Sequence, residues 1–341
     1  MKIVEYATVA ASESSPDRFM YAMMGFASGF VFSCIVILLL SFFRNGMSVE
    51  EKIRKDFKDK AVLSVIPLMG EVVNGKHGKK KMMIERAKLC GKLSFASAEA
   101  YKLLRENIAF YFSDVQECRI IGITSSVRNE GKTTTAINLA YTLALANKKV
   151  CLIDCDFRLP SVAKRLRLRQ KPGMTNLLAG QPVDHDTFQK HVSGSAAFYV
   201  VTAGDIPPNP SELLGSKRMQ SVLEVFSKNF DYIILDLPPV GIVSDALAVT
   251  KVIDGMLFVV REDFYERRTM RESLRILEGV ETKLLGMVVT YSTTQQKEYK
   301  RYGSKYGTKY GYTYGYDNNY GRDTGDRSGR KNDLRQQEAM K

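Results

Sequence analysis

The order of apolar and polar segments predicts an α/β protein: a mostly parallel sheet with helices on both faces, preceded by one transmembrane helix and followed by a disordered tyrosine-rich tail. Three observations carry this reading. Short, wholly apolar runs alternate with helical stretches through the middle of the chain, the pattern of strands buried on both faces and joined by helical crossovers. Met20–Phe43 is a stretch of 24 residues without a charge. Beyond Thr290 apolar periodicity stops and Tyr, Gly, Lys and Ser take over, a composition that cannot bury a core.

At 341 residues, 45% apolar and 26% charged, the chain can bury one ordinary core with appendages, which excludes a disulfide-stapled miniprotein and a wholly disordered chain. Its five cysteines form no C-x-x-C pair, so neither a disulfide framework nor a tetrahedral zinc site is indicated. The net charge of +13 lies at the flanks: residues 1–43 carry −1, 44–97 carry +7, 98–296 carry +2 and 297–341 carry +5. Two basic flanks around a balanced centre suit anionic lipid or protein partners, and no nucleic-acid partner is expected.

As a helix rising ~1.5 Å per residue, Met20–Phe43 spans a bilayer. It starts too far in, and runs too long without a small-x-small cleavage site, for a signal peptide. Six basic residues between Arg44 and Lys60 follow it, against Lys2 and Arg18 before it, so the positive-inside rule places the large C-terminal part in the cytoplasm of a single-pass inner (plasma) membrane protein. Gly25, Gly29 and Ser33 share a face that suits close approach of another helix, a pattern that chance in a glycine-tolerant span also produces. The expected organisation is an extracytoplasmic tail (1–19), the membrane helix (20–43), a basic juxtamembrane linker (44–96), a globular domain (97–290) and the tail (291–341). Within the domain, Ser97 is read as the N-cap of a first helix. Strands are expected at Arg119–Thr124, Lys149–Asp154, Tyr199–Thr202, Tyr232–Asp236, Met256–Val260 and Leu285–Thr290, with helices near 132–146, 217–228, 245–252 and 268–279.

The chemistry begins where the strand at 119–124 runs through Ser125, Ser126, Val127, Arg128, Asn129, Glu130, Gly131, Lys132, Thr133 and Thr134 into a helix. In a phosphate-binding loop, backbone N–H groups and the helix N-terminus cradle phosphate oxygens, a lysine reaches the outer phosphates and the next hydroxyl meets Mg²⁺. Two further apolar strands end in carboxylates, Asp154 with Asp156 and then Asp236. Ligands of parallel sheets bind beyond the carboxyl ends of strands, so these groups converge on one crevice of P-loop NTPase type. Carboxylates there suit a metal ion and its water shell better than a core.

Gly131-Lys132-Thr133, Asp154-x-Asp156-x-Arg158-x-Pro160, Ile234-Leu235-Asp236-x-Pro238-Pro239 and Gly204-Asp205-Ile206-Pro207-Pro208, together with Gly173-Met174-Thr175-Asn176 and Val243-Ser244-Asp245-Ala246, resemble the bacterial tyrosine kinases of capsule and exopolysaccharide biosynthesis over residues 97–290. The N-terminal part resembles the end of a chain-length determinant (polysaccharide co-polymerase) module, including Val62-Leu63-Ser64-Val65-Ile66-Pro67. The loop departs from the family at Arg128-Asn129, where members usually carry Pro-Gly. The family's ring-assembly helix, Glu-x-x-Arg-x-x-Arg, reads Glu99-x-x-Lys102-x-x-Arg105. Thr290 stands where related sheets often end in an Asn that reads the base.

The resemblance implies an ATP- and Mg²⁺-dependent protein-tyrosine kinase. Residues 126–134 would bind ATP, with Lys132 on the β/γ-phosphates. Thr133, Asp154 and Asp236 would hold Mg²⁺, while Asp154 and Asp156 orient or deprotonate the incoming phenol. Nine of the 17 tyrosines lie at or beyond 291, and Tyr299, Tyr302, Tyr306, Tyr310, Tyr312, Tyr314, Tyr316 and Tyr320 are the expected phosphoacceptors, modified between subunits of a homo-oligomeric ring. A co-polymerase membrane protein, a cognate tyrosine phosphatase and anionic inner-leaflet lipid are the other expected partners. Two competing readings are a switch ATPase of the positioning type, which typically carries a lysine where Val127 stands, and a pseudo-kinase scaffold.

Overall fold

The computed structural model describes residues 18–45, 48–69, 72–74, 80–82, 89–113, 117–182, 184 and 186–293. The tail tyrosines from Tyr299 to Tyr320 and most of the 1–19 segment lie outside them. The first helix, α1 (Arg18–Asn45), encloses the expected apolar span and is long and apolar enough to cross a membrane, with mean hydropathy 2.4 over Arg18–Leu40. Phe26, Phe30 and Leu38 lie exposed along it, the surface that a hydrocarbon environment would cover.

After α1 come α2 (Val49–Asp56), β1 (Val62–Pro67), a separate hairpin of β2 (Val72–Asn74) with β3 (Lys80–Met82), α3 (Phe95–Tyr111), β4 (Arg119–Ser125), α4 (Lys132–Leu145) and β5 (Val150–Asp154). Then follow α5 (Val162–Leu166), α6 (Met174–Leu178), β6 (Gln189–Ser193), β7 (Ala196–Val201), α7 (Pro210–Leu214), α8 (Lys217–Ser227), β8 (Tyr232–Asp236), β9 (Gly255–Arg261), α9 (Arg267–Glu278) and β10 (Leu284–Ser292). Eight strands make one sheet in the order β1-β10-β9-β4-β8-β5-β7-β6, parallel throughout except for β6, which runs antiparallel on the edge. This is the expected α/β architecture.

Alternation along the strands sorts the core into two layers. Cys151, Ile153, Ile233, Leu235, Phe258 and Val260 face one side, with Ile53 of α2, Phe226 of α8, and Met270 and Leu274 of α9. Leu152, Ile234, Leu257 and Val259 face the other, against Tyr101 and Leu104 of α3 and Ile137 and Leu139 of α4. Both faces of the central strands are therefore covered, which is why their sequences are apolar without a break.

Three expectations need correction. The stretch read as a linker, 44–96, is partly built into the fold: β1 pairs with β10, Ile53 is fully buried, Ser64 Oγ donates to the Ala100 carbonyl at 2.7 Å and Asn107 Nδ2 to the Leu63 carbonyl at 2.7 Å. Ser94, not Ser97, caps α3; its Oγ accepts from Ser97 N–H at 3.2 Å. The helix expected near 245–252 is a single 3₁₀ turn, Ser244–Leu247, whose Asp245 is turned into the protein to meet Arg158.

Candidate active site

Side-by-side pairing of parallel strands brings the candidate residues to one edge. Asp154 and Asp236 are register partners across β5 and β8, and Asp236 also pairs with Ile123 on β4, two residues before the phosphate loop. The loop enters α4 through Gly131 at φ +99°, a left-handed conformation that favours glycine because it has no Cβ. Four side-chain contacts fix its path. Ser125 Oγ donates to the Val127 carbonyl at 2.7 Å, Val127 N–H to the Glu130 carboxylate at 2.7 Å, Thr290 Oγ1 to the Glu130 carbonyl at 2.7 Å, and Arg261 Nη1 to the Asn129 carbonyl at 3.3 Å. Glu130 is buried, and burial raises its pKa against the opposing pull of the Val127 N–H. Thr290 therefore supports the loop at the Glu130 carbonyl.

Lys132 is buried at the start of α4. The Thr133 hydroxyl accepts from Ser161 Oγ at 3.1 Å, and that of Thr134 accepts from Arg165 Nη1 at 3.1 Å. Asp154 is fully buried: one oxygen accepts from Asp156 N–H at 3.2 Å, the other from Ser161 and Val162 N–H, each at 3.0 Å. Burial and then the neighbouring Asp236 charge push its pKa up. Asp156, half-buried, accepts from Leu159 N–H at 3.1 Å, and burial raises it too. Asp236 differs from both. Its two oxygens are buried and make no well-formed hydrogen bond among the described residues, and burial pushes its pKa up to about 6, against the opposing charge of Lys132 and the neighbouring Thr133 hydroxyl. A cavity of about 230 Å³ beside the loop is lined by Ser126, Val127, Glu130, Tyr265, Thr269 and Met270.

A buried polar oxygen without a partner costs free energy and calls for a ligand. The described residues contain no cluster of three or more His, Cys, Asp or Glu side chains that would complete a metal shell. One or two carboxylates with a hydroxyl beside a phosphate loop is the donor set of Mg²⁺, which keeps waters and phosphate oxygens as its other ligands. The residues present thus fit Mg²⁺ carried with a nucleotide.

The other motif residues, quoted for the resemblance without partners, find them in the fold. Arg158 makes a two-pronged ion pair to buried Asp245, Nε–Oδ2 2.6 Å and Nη2–Oδ1 3.0 Å, and Ser211 Oγ also contacts Asp245. Burial raises the Asp245 pKa, but these partners outweigh it and the net direction is down. The two glycine motifs also meet: a Cβ on Gly173 would lie 2.3 Å from Gly204 N, and Thr175 Oγ1 donates to the Asp205 carbonyl at 2.8 Å. On α3, Lys102 pairs with Glu99 at 2.6 Å, while Arg105 pairs with Glu106 and donates to the Thr142 carbonyl on α4 at 3.2 Å.

A family profile described as an AAA domain matches residues 118–284. The tyrosine-protein kinase YwqD of Bacillus subtilis (strain 168) is 35% identical over 210 residues, covering 61% of this chain and 87% of that protein. The tyrosine-protein kinase etk of Escherichia coli (strain K12) is 26% identical over 299 residues, 85% of this chain and 40% of that one. The solved kinase domain of Escherichia coli tyrosine kinase ETK superposes with a TM-score of 0.60 at 27% identity, covering 72% of this chain and 94% of the domain. The order of strands, the phosphate loop on β4 and this extent of likeness converge, and the chain belongs to the bacterial tyrosine kinases.

Proposed function

We propose that this chain is a membrane-anchored protein-tyrosine kinase that uses Mg²⁺-ATP to phosphorylate the tyrosines of its own C-terminal tail between subunits, and that it regulates capsular or exopolysaccharide polymerisation or export. The observation that carries the reading is Asp236, a buried carboxylate with no well-formed hydrogen bond, set between Lys132 and the Thr133 hydroxyl at a phosphate loop. ATP supplies the phosphoryl group and Mg²⁺ neutralises its charge. Phosphoryl transfer otherwise asks a protein for positioning and fixed charge. The loop's N–H groups and the α4 N-terminus bind phosphate oxygens, and Lys132 supplies a positive charge already desolvated by the fold. Thr133 and Asp236 are the metal-facing groups. Asp154 holds the 155–162 turn through three backbone N–H groups, which sets Asp156 at the rim. Asp156 has a pKa raised by burial, which makes it a better base toward a phenol than an ordinary carboxylate.

The same reading takes α1 as a single inner-membrane span with the kinase in the cytoplasm. The basic residues that follow α1 would face anionic lipid. Self-association in a ring, a co-polymerase membrane protein and a tyrosine phosphatase complete the expected partnership. Each phosphate adds about −1.5 to −2 charge, so a few reverse the tail's +5 and would loosen a ring built on it.

Intact-mass spectrometry of the detergent-solubilised full chain, before and after Mg²⁺-ATP, tests the proposal. Phosphate should accumulate at Tyr299–Tyr320, and Lys132→Ala should abolish the gain without altering the far-UV spectrum. A tail-deleted active chain should phosphorylate the tail of the Lys132→Ala chain. A phosphorylated Lys132→Ala chain on its own, purified from cells without other tyrosine kinases, would reject the site assignment. A silent mixture would reject transfer between subunits.

A further inference from the structure

The phosphate loop contains a local conflict that its sequence does not resolve. Asn129, a non-glycine residue, sits at φ +65°, and Gly131 two residues later is again left-handed. Asparagine tolerates this conformation better than most side chains, yet its Cβ still crowds the backbone where glycine would not. A loop with a steric penalty at its apex relaxes unless neighbouring atoms hold it. One side chain reaches that apex from the sheet. Arg261, the last residue of β9, is 5% exposed and donates from Nη1 to the Asn129 carbonyl at 3.3 Å.

The guanidinium is itself fixed on three sides. Its Cζ lies 4.0 Å from the ring centre of Tyr291 and 4.3 Å from that of Phe264, and Asp263 accepts from Nε at 2.5 Å and from Nη2 at 2.8 Å. A planar cation between two rings, with its other nitrogens held by a carboxylate, leaves Nη1 aimed in one direction. Tyr291 follows Thr290, whose hydroxyl holds the next carbonyl of the loop, that of Glu130. Two consecutive loop carbonyls are thus gripped from the ends of two adjacent strands, β9 directly and β10 through Thr290.

We propose that Arg261 is a positioning residue for nucleotide binding: it holds Asn129 in the left-handed conformation and so keeps the loop amides that follow Val127 free to meet the phosphates, doing for this loop what a glycine at 129 would otherwise do. It touches no reacting atom. Lysine cannot replace it, because an ammonium has neither the planar face for the two rings nor the fork for Asp263. Tyr291 serves as its aromatic wall, so Tyr291→Phe, which keeps the ring, leaves the loop as it is.

The proposal rests on the nucleotide-site reading, and its test separates the two. The detergent-solubilised full chain, with Arg261→Lys, Asn129→Gly, the double variant and Tyr291→Phe beside it, is titrated with a fluorescent ADP analogue and Mg²⁺. Amide hydrogen exchange across 126–131 is followed in the nucleotide-free protein. Arg261→Lys should weaken analogue binding about tenfold and speed exchange in the loop while leaving exchange in β4 and β8 unchanged. Asn129→Gly in the Arg261→Lys background should restore at least half of the lost affinity on a logarithmic scale. Tyr291→Phe should bind within twofold of the parent. Arg261→Lys with parental loop exchange, or a loss that Asn129→Gly does not recover, overturns the proposal. A parent chain that binds no nucleotide overturns the site reading instead, and the exchange comparison still decides whether Arg261 orders the loop.

Discussion

Replacing Asp236 by asparagine should stabilise the nucleotide-free protein while removing its response to Mg²⁺-nucleotide. The side chain keeps its shape and loses its charge. In the folded chain the carboxyl is pushed from 3.8 to about 6 by burial, with Lys132 and the Thr133 hydroxyl as its only opposing neighbours of note and no well-formed hydrogen bond to either oxygen among the described residues. At about 1.36 kcal/mol per pKa unit, that displacement costs the folded state about 3 kcal/mol near neutral pH. Lys132 loses an attractive neighbour but still faces Asp156, so the net gain should be about 1–3 kcal/mol. For a fold of this size that is about 2–12 °C in Tm. The sign follows from linkage. A carboxyl with a raised folded pKa binds its proton more tightly when folded, so the parent should gain stability as pH falls through about 6 towards 4, and Asp236→Asn should lose part of that slope. Thermal unfolding of the full chain at pH 7.5 and 5.5, with and without Mg²⁺-ADP, measures each quantity. Asp236→Asn less stable than the parent at pH 7.5, with an unchanged pH slope, would refute the account of Asp236 as a carboxylate kept unpaired for its ligand.

Two further outcomes follow from the packing. A chain begun at residue 97 lacks α2 and β1, leaving β10 as an unpaired edge and uncovering the place of Ile53; it should aggregate, or unfold at least 10 °C below a chain begun at 48, as light scattering during a thermal ramp would register. Arg158→Ala leaves the Asp245 carboxylate buried with Ser211 as its remaining partner, at a cost of about 2–4 kcal/mol, and Asp245→Asn in the same chain should return part of it in urea unfolding.

The central strands were legible because burial on both faces leaves a continuous apolar run; Tyr232–Asp236 was placed end to end. The edges were not. β6, Gln189-Lys190-His191-Val192-Ser193, is polar because one side meets solvent, and it pairs only with the neighbouring β7. β1 finds its partner more than 200 residues away, and α2 announces itself with little more than Ile53 and Phe57. The same divide runs through the site. Lys132, Asp154 and Asp236 belong to local patterns, strand end or loop-to-helix, that a sequence displays. Arg261 and Thr290 act on carbonyls 132 and 160 residues away, and Arg158 meets Asp245 across 87. Nothing local marks such pairs, since only closure of the sheet brings them together.

The short segment between α1 and α2 bears on how copies would meet at a membrane. α1 ends at Asn45 and α2, already part of the fold, begins at Val49. Asp56 at the end of α2 accepts from the Tyr265 hydroxyl at 2.7 Å, beside the cavity that flanks the phosphate loop. Three residues of chain extend to about 10 Å at most. If α1 spans a bilayer as proposed, a kinase on so short a leash would not search the cytosol for its substrates. Encounters between copies would then become lateral, confined to a thin layer against the bilayer, where local concentration is set by surface density and is insensitive to cell volume. Crowding or dispersing the membrane helices would then act as a throttle on phosphorylation without any change at the nucleotide site.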